Sequence, residues 1–193
     1  VHPGAVLRAL GARLDEDATV CVDVGQNQIW ACTHLPLKRG RFLTTGGLGT
    51  MGYSLPASLG VKTAVPDRQT VVVCGDGSFQ MFENELATLK AMGTDVKIVM
   101  VHNGVLGLVH QIQYSSYSGP FGVDLTGSPD FEKLAEAYGV RGKRVTTRAE
   151  LADTVREALD LGHAYVIECI IDTDETVRPM VSAGKPITEF LLE

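Results

Sequence analysis

In the segment Gly75-Asp76-Gly77-Ser78, a carboxylate stands between two glycines where an apolar, β-branched run, Thr70 to Cys74, gives way to residues of helical spacing. Glycines at the start of a helix leave bare backbone amides, the general form of an anion site. A carboxylate beside a phosphate repels it unless a cation lies between them. Asp76 offers one anionic oxygen, and Asn103, after the next apolar run, offers a neutral one. Two such hard oxygens, a loop carbonyl and phosphate oxygens suit octahedral Mg2+. The amides around Gly77 and Ser78 then take the remaining phosphate charge. The simpler alternative is a tight turn with Asp76 as N-cap of the following helix. Asn103, and the glycines of Gly25-Gln26-Asn27 and of Gly46 to Gly52, favour the metal-bridged diphosphate site. A dinucleotide-binding turn is disfavoured, because Gln80 occupies the third glycine position and His102-Asn103 stand where an acid is expected. A P-loop lacks its G-K-[ST].

These residues need a scaffold that delivers several strand ends to one place. Val20–Val24, Arg41–Thr44, Thr70–Cys74, Val96–Val101 and Tyr165–Ile171 read as strands. Gly4–Leu14, Tyr53–Thr63, Phe79–Met92, Pro129–Tyr138 and Arg148–Leu161 read as helices. Ser128-Pro129 supplies an N-cap and N1 proline, and Thr147-Arg148-Ala149-Glu150 is a capping box. The alternation predicts an α/β fold, a three-layer α/β/α sandwich with a mainly parallel central sheet. Ligands collect at the carboxyl ends of strands in such sheets, where the glycines cluster. The segment from Asp172 to Glu193 reads as a looser tail wrapping the surface.

The 193 residues suffice for one domain, and a formal charge of −6 without a basic run argues against nucleic acid as a partner. No apolar stretch approaches a membrane span, and the start VHPGAVLRAL is not a signal peptide. The four cysteines form no C-x-x-C pair; Cys21, Cys74 and Cys169 read as reduced core residues, and a cytoplasmic location is expected. Because the first residue is Val, a processed chain or a piece cut from a longer one is expected.

Gly-Asp-Gly followed by Asn103 resembles the diphosphate-binding half of the thiamine diphosphate enzyme family, whose signature ends in Asn-Asn; here His102 replaces the first Asn. The segments DVGQNQIWA, TTGGLGTMGYSLPASLGVK, GDGSFQMFENELATLK, VLGLVHQIQ and RPMVSAGKPITEFLLE, in this order and spacing, resemble the C-terminal third of acetolactate synthase catalytic subunits. The resemblance implies that Asp76, Asn103 and the main-chain carbonyl of Val105 complete the protein's share of a Mg2+ shell. It further implies that Gly25, Gln26 and Asn27 meet the diphosphate, Asn27 standing where related enzymes have His. Gly75, Gly77, Ser78 and Leu106 join the same cofactor-binding set. Gly49 is to offer its carbonyl to the pyrimidine 4′-amino group, and Met51 is to wedge the cofactor into its bent, reactive form. By itself Met51 reads as ordinary core packing; only its place in Gly49-Thr50-Met51-Gly52 lifts it.

The family resemblance also marks what this chain lacks or changes. Acetolactate synthases generally carry Trp at the position of Ile112 and Met at that of Leu108, so substrate choice is open. His34 and His110 receive no role. The glutamate that protonates the pyrimidine lies in a separate pyrimidine-binding domain, usually of a neighbouring subunit; Glu83 and Glu85 sit on the diphosphate half and cannot replace it. The expectation is therefore a single diphosphate-half domain over residues 1–193, excised from a longer chain or one subunit of a split enzyme, and inactive alone. The complete enzyme is expected to decarboxylate pyruvate and condense the two-carbon unit with a second 2-oxo acid, serving branched-chain amino acid biosynthesis as a homo-oligomer. FAD and a regulatory subunit remain open for that complete enzyme. The rivals are another thiamine diphosphate-dependent 2-oxo acid decarboxylase or oxidase, and a non-catalytic assembly domain.

Overall fold

The structure, a computed structural model, describes residues 1–181 and 184–191. In chain order the elements are α1 (Pro3–Gly11), β1 (Thr19–Val22), α2 (Gln26–His34), β2 (Arg41–Thr44), α3 (Ser54–Ala64), β3 (Thr70–Gly75), α4 (Asp76–Gln80) and α5 (Glu85–Met92). There follow β4 (Lys97–His102), α6 (Gly107–Ser116), α7 (Phe131–Ala137), β5 (Arg141–Val145), α8 (Arg148–Asp160), β6 (Tyr165–Ile170), β7 (Met180–Val181) and β8 (Phe190–Leu191).

Six strands form one sheet in the order β2-β1-β3-β4-β6-β5, every neighbouring pair parallel. Strands β1, β3, β4 and β6 are buried on both sides, which is why they read as unbroken apolar runs rather than as alternations. Successive side chains divide between two cores. Val20, Val22, Val71, Val73 and Val99 pack under α1, α2 and α8. Cys21, Val72, Cys74, Ile98 and Met100 pack under α3, α5 and α7. Each fully buried Val, Leu, Ile or Phe contributes roughly 1.5–3 kcal/mol, so the two faces together hold the expected three-layer sandwich. Cys21, Cys74 and Cys169 are free and buried, as the apolar runs require; burial pushes the Cys21 and Cys169 thiols up to about 12. Among the described residues no helix is long and apolar enough to cross a membrane.

Several local readings need correction. The helix expected over Phe79–Met92 is two, α4 and α5, joined by tight turns in which Met81, Phe82, Glu85 and Leu86 each donate to a carbonyl three residues back. Phe79, Phe82, Leu86 and Leu89 are nonetheless all buried; the aromatic pair meets edge-on at 5.3 Å, so core packing overrides a continuous helix. Ser128-Pro129 does not open a helix. The Ser128 hydroxyl donates to the Leu125 carbonyl, and Asp130 caps α7 by accepting from the Lys133 amide. The capping box of Thr147 and Glu150 at α8 is present on both sides. The tail is not uniformly loose: β7 and β8 pair antiparallel, and residues 171–177 strap back onto the sheet ends. Ser182, Ala183, Leu192 and Glu193, within the quoted C-terminal motif, lie outside the described residues.

Candidate functional site

Strand order reverses between β1 and β3, so β1 leads into α2 on one face and β3 into α4 on the other. A crevice opens where such chains part, beyond the carboxyl ends of the strands. One cavity occupies it, and every residue expected at the cofactor site except Gly49 lines it. Gly49 lies on the exposed loop beside it, donating to the Thr45 carbonyl at 3.0 Å. Val24, Trp30, Val101, Gly107, Leu108 and Val109 also line the cavity. Ile112 faces outward, 40% exposed.

Asp76 opens α4 but does not cap it; the N-cap is Gly75, without a side-chain hydrogen bond, so the simple turn reading fails. Its carboxylate, 1% exposed as a residue, instead turns across to the loop after β4, where Oδ2 accepts from the Gly104 amide at 3.1 Å. Burial pushes the Asp76 carboxyl up, while His102 and the backbone N–H groups of Asp76, Gly104 and Asn103 pull it partly back. A carboxylate buried in this way would be stabilised further by a bound cation. Asn103 and Val105 stand on the facing loop: Asn103 Oδ1 accepts from the Val105 amide at 3.3 Å, and Asn103 Nδ2 donates to Gln26 Oε1 at 3.0 Å. Among the described residues no group of three His, Cys, Asp or Glu side chains could hold a metal. The donor set is thus one carboxylate with neutral oxygens, which suits Mg2+ sharing its shell with phosphate and water and does not suit zinc.

Bare backbone forms part of the cavity wall. A Cβ on Gly77 would lie 2.7 Å from Leu106 Cδ2 and 3.6 Å from Met51 Cε; one on Gly107 would lie 2.0 Å from Gln26 Oε1. At both positions a side chain would push aside the ends of residues that line the cavity. The cradle and the donor set together fit a Mg2+-bound diphosphate.

Some contributors escaped the sequence reading. Asp23, fully buried, accepts through Oδ1 from the amides of Val24 (2.9 Å) and Gly52 (3.0 Å). Through Oδ2 it accepts from the Ser54 amide (2.9 Å) and hydroxyl (2.7 Å). It thereby anchors the loop that carries Met51 to the end of β1. Gln111, inside the quoted HQIQ, accepts from Gln26 Nε2 and from the Val177 amide, at 3.0 and 2.9 Å. Gln26 Nε2 also donates to the Glu175 carbonyl at 2.9 Å, and Thr173 Oγ1 to that of Asn103 at 2.8 Å. The strap after β6 is therefore clasped to the loops that line the cavity. Only the quoted HQIQ and RPMV motifs pointed to this clasp.

A parallel sheet with such a crevice, holding the buried Asp76 carboxylate among glycines, defines a cofactor-binding α/β domain. Residues 23–169 match the family model described as "Thiamine pyrophosphate enzyme, C-terminal TPP binding domain", and the chain belongs to that family. Among curated relatives, it is 36% identical over 193 residues to the acetolactate synthase large subunit of Cyanidium caldarium, covering 99% of this chain and 33% of that one. The corresponding subunit of Lactococcus lactis subsp. lactis is 37% identical over 197 residues, with 99% and 33% covered. The isozyme 1 large subunit of Escherichia coli is 38% identical over 190 residues, with 97% and 34% covered. The chain spans about a third of the length of these relatives.

Proposed function

We propose that the chain is the diphosphate- and Mg2+-binding domain of a longer thiamine diphosphate-dependent enzyme of acetolactate synthase type. That enzyme decarboxylates pyruvate and joins the two-carbon unit to a second 2-oxo acid. The observation that carries this reading is the buried Asp76 carboxylate, turned from the end of β3 onto the Asn103–Val105 loop within one glycine-walled cavity. The relatives' names, acetolactate synthase large subunits, support the choice of that reaction. Asp76, Asn103 and the Val105 carbonyl hold the metal, while Gly25, Gln26, Asn27, Gly75, Gly77, Ser78 and Leu106 receive the diphosphate. Met51, on the loop fixed by Asp23, would press on the cofactor, and the Gly49 carbonyl would orient its amino group. When bound, thiamine diphosphate supplies the electron sink that decarboxylation of a 2-oxo acid requires. The protein's share is to fix the cofactor's shape and exclude water around it. The pyrimidine-binding half, with its glutamate, comes from another domain of the same enzyme in a neighbouring subunit, in the cytoplasm.

Leu108, on the cavity wall, and Ile112, on the same helix, stand where acetolactate synthases generally carry other residues and favour a second reading, in which the same cofactor serves a plain 2-oxo acid decarboxylase or oxidase. Assay of the full-length protein with pyruvate separates the two. Acetolactate formed with one carbon dioxide per molecule supports the ligase; carbon dioxide with aldehyde or acetate and no acetolactate supports the second reading.

A further inference from the structure

His102 stands where the family signature has its first Asn, and its ring is held on three sides. It closes β4, and Nδ1 donates to Glu168 Oε1 at 2.7 Å. Its ring meets Phe131 edge-on, centroids 5.5 Å apart at 77°. Nε2 lies 3.6 Å from Asp76 Oδ2. Glu168, on β6 with a side chain 1% exposed, uses its other oxygen to accept from Arg144 Nε at 2.8 Å. Arg144 is its register partner on β5 and reaches Asp130 Oδ1 at 3.2 Å, with 38% of its side chain exposed. A ladder thus runs from the surface through Arg144, Glu168 and His102 to Asp76.

Each rung restricts the next. Both oxygens of Glu168 are engaged by donors on different strands, so its carboxylate cannot rotate without losing one. That fixes the His102 ring at Nδ1, and Phe131 fixes its plane. Phe131 also packs edge-on against Phe79 at 5.3 Å, three residues beyond Asp76, so one aromatic cluster holds both the ring and the helix that carries the carboxylate. A buried ion pair is weak support for stability, whereas groups behind a metal ligand set its orientation and the affinity of the site. We infer that His102, oriented by Glu168 and Arg144, is a positioning residue that holds Asp76 toward the Asn103–Val105 loop for Mg2+. This rests on the diphosphate–metal reading proposed above.

The test is a Mg2+ titration at fixed thiamine diphosphate in the full-length protein, with bound cofactor measured by equilibrium dialysis. Its variants are His102→Phe, which keeps the ring against Phe131 and removes both nitrogens, Glu168→Gln, their double variant, and Asp76→Asn. The half-saturating Mg2+ concentration is expected to rise about 10-fold in each single variant at His102 and Glu168. The double variant should be no worse than His102→Phe, because both changes act through one ring. Losses that add, or a lowered metal-free thermal midpoint with an unmoved Mg2+ titration, would overturn the inference. Should either buried variant fail to fold, Arg144→Gln at the exposed end is read in the same way: a raised half-saturation supports the ladder and an unchanged one overturns it. If Asp76→Asn leaves the half-saturating Mg2+ concentration unchanged, the metal reading fails. If Asp76→Asn alone weakens binding, that reading stands and the role of His102 falls.

Discussion

At the level of single side chains, two buried acids divide the work of the cavity. Asp76 faces the Asn103–Val105 loop, and Asp23 ties down the Met51 loop with three hydrogen bonds from Gly52 and Ser54. Asp23→Ala leaves the buried donors of Gly52 and Ser54 unpaired, each at a cost of about 1–3 kcal/mol. The expected result is a loss of roughly 3 kcal/mol in denaturant unfolding, with weaker thiamine diphosphate binding. A variant as stable as the wild type would show that the loop holds itself. Asp76 was legible in the sequence because its glycine neighbours and Asn103 form a spaced pattern. Asp23 was not, since its partners Gly52 and Ser54 lie 29 and 31 residues away and no local spacing marks them. His102 was visible as a departure from the signature; Glu168 and Arg144 behind it appear only once β4, β6 and β5 are side by side.

Among the elements, α8 shows how closely a terminal signal can be read. Thr147 Oγ1 accepts from the Glu150 amide, and the Glu150 carboxylate accepts from the Thr147 amide. Thr147→Ala should lower stability by about 1 kcal/mol in chemical denaturation. Hydrogen bonds from the Thr146 and Thr147 amides hold the Glu150 carboxyl below its ordinary value of 4.5. A depressed carboxyl contributes stability above its unfolded value and loses it as pH falls toward its folded one. The stability gap between wild type and Glu150→Gln should therefore be full at neutral pH and close as pH drops below 4.5. A gap independent of pH would remove the carboxylate from the cap. Other elements gave weaker signals. The strand β5, Arg-Gly-Lys-Arg-Val, is a sheet edge paired only with β6, and its basic residues mask its buried Gly142 and Val145. Helix α6 buries no residue, so no apolar stripe announces it, and α2 mixes Gln, Asn and Thr among its apolar positions. The buried strands and the apolar spacing from Phe79 to Leu89 were plain because covered parallel strands need unbroken apolar runs.

On the scale of the whole molecule, the crevice is open on one side and large apolar side chains stand near it uncovered. Leu48, beside Gly49, is 95% exposed, and Phe121, bonded to Gln113 of α6, is 88% exposed. On the proposed reading, a partner domain of the complete enzyme covers these side chains. On the proposed reading the 193-residue chain alone turns over no pyruvate, and the full-length protein does. Carbon dioxide release by the isolated chain would show that the missing half is not required. The central claim, that Asp76 binds the cofactor's diphosphate through Mg2+, is tested most directly by calorimetric titration of thiamine diphosphate into the full-length protein. The titration is run with Mg2+, then with EDTA, and repeated with Asp76→Asn. Saturable binding that disappears in EDTA and weakens at least about 10-fold in the variant is the expected result. Equal binding with and without Mg2+, or an unaffected Asp76→Asn, would contradict it.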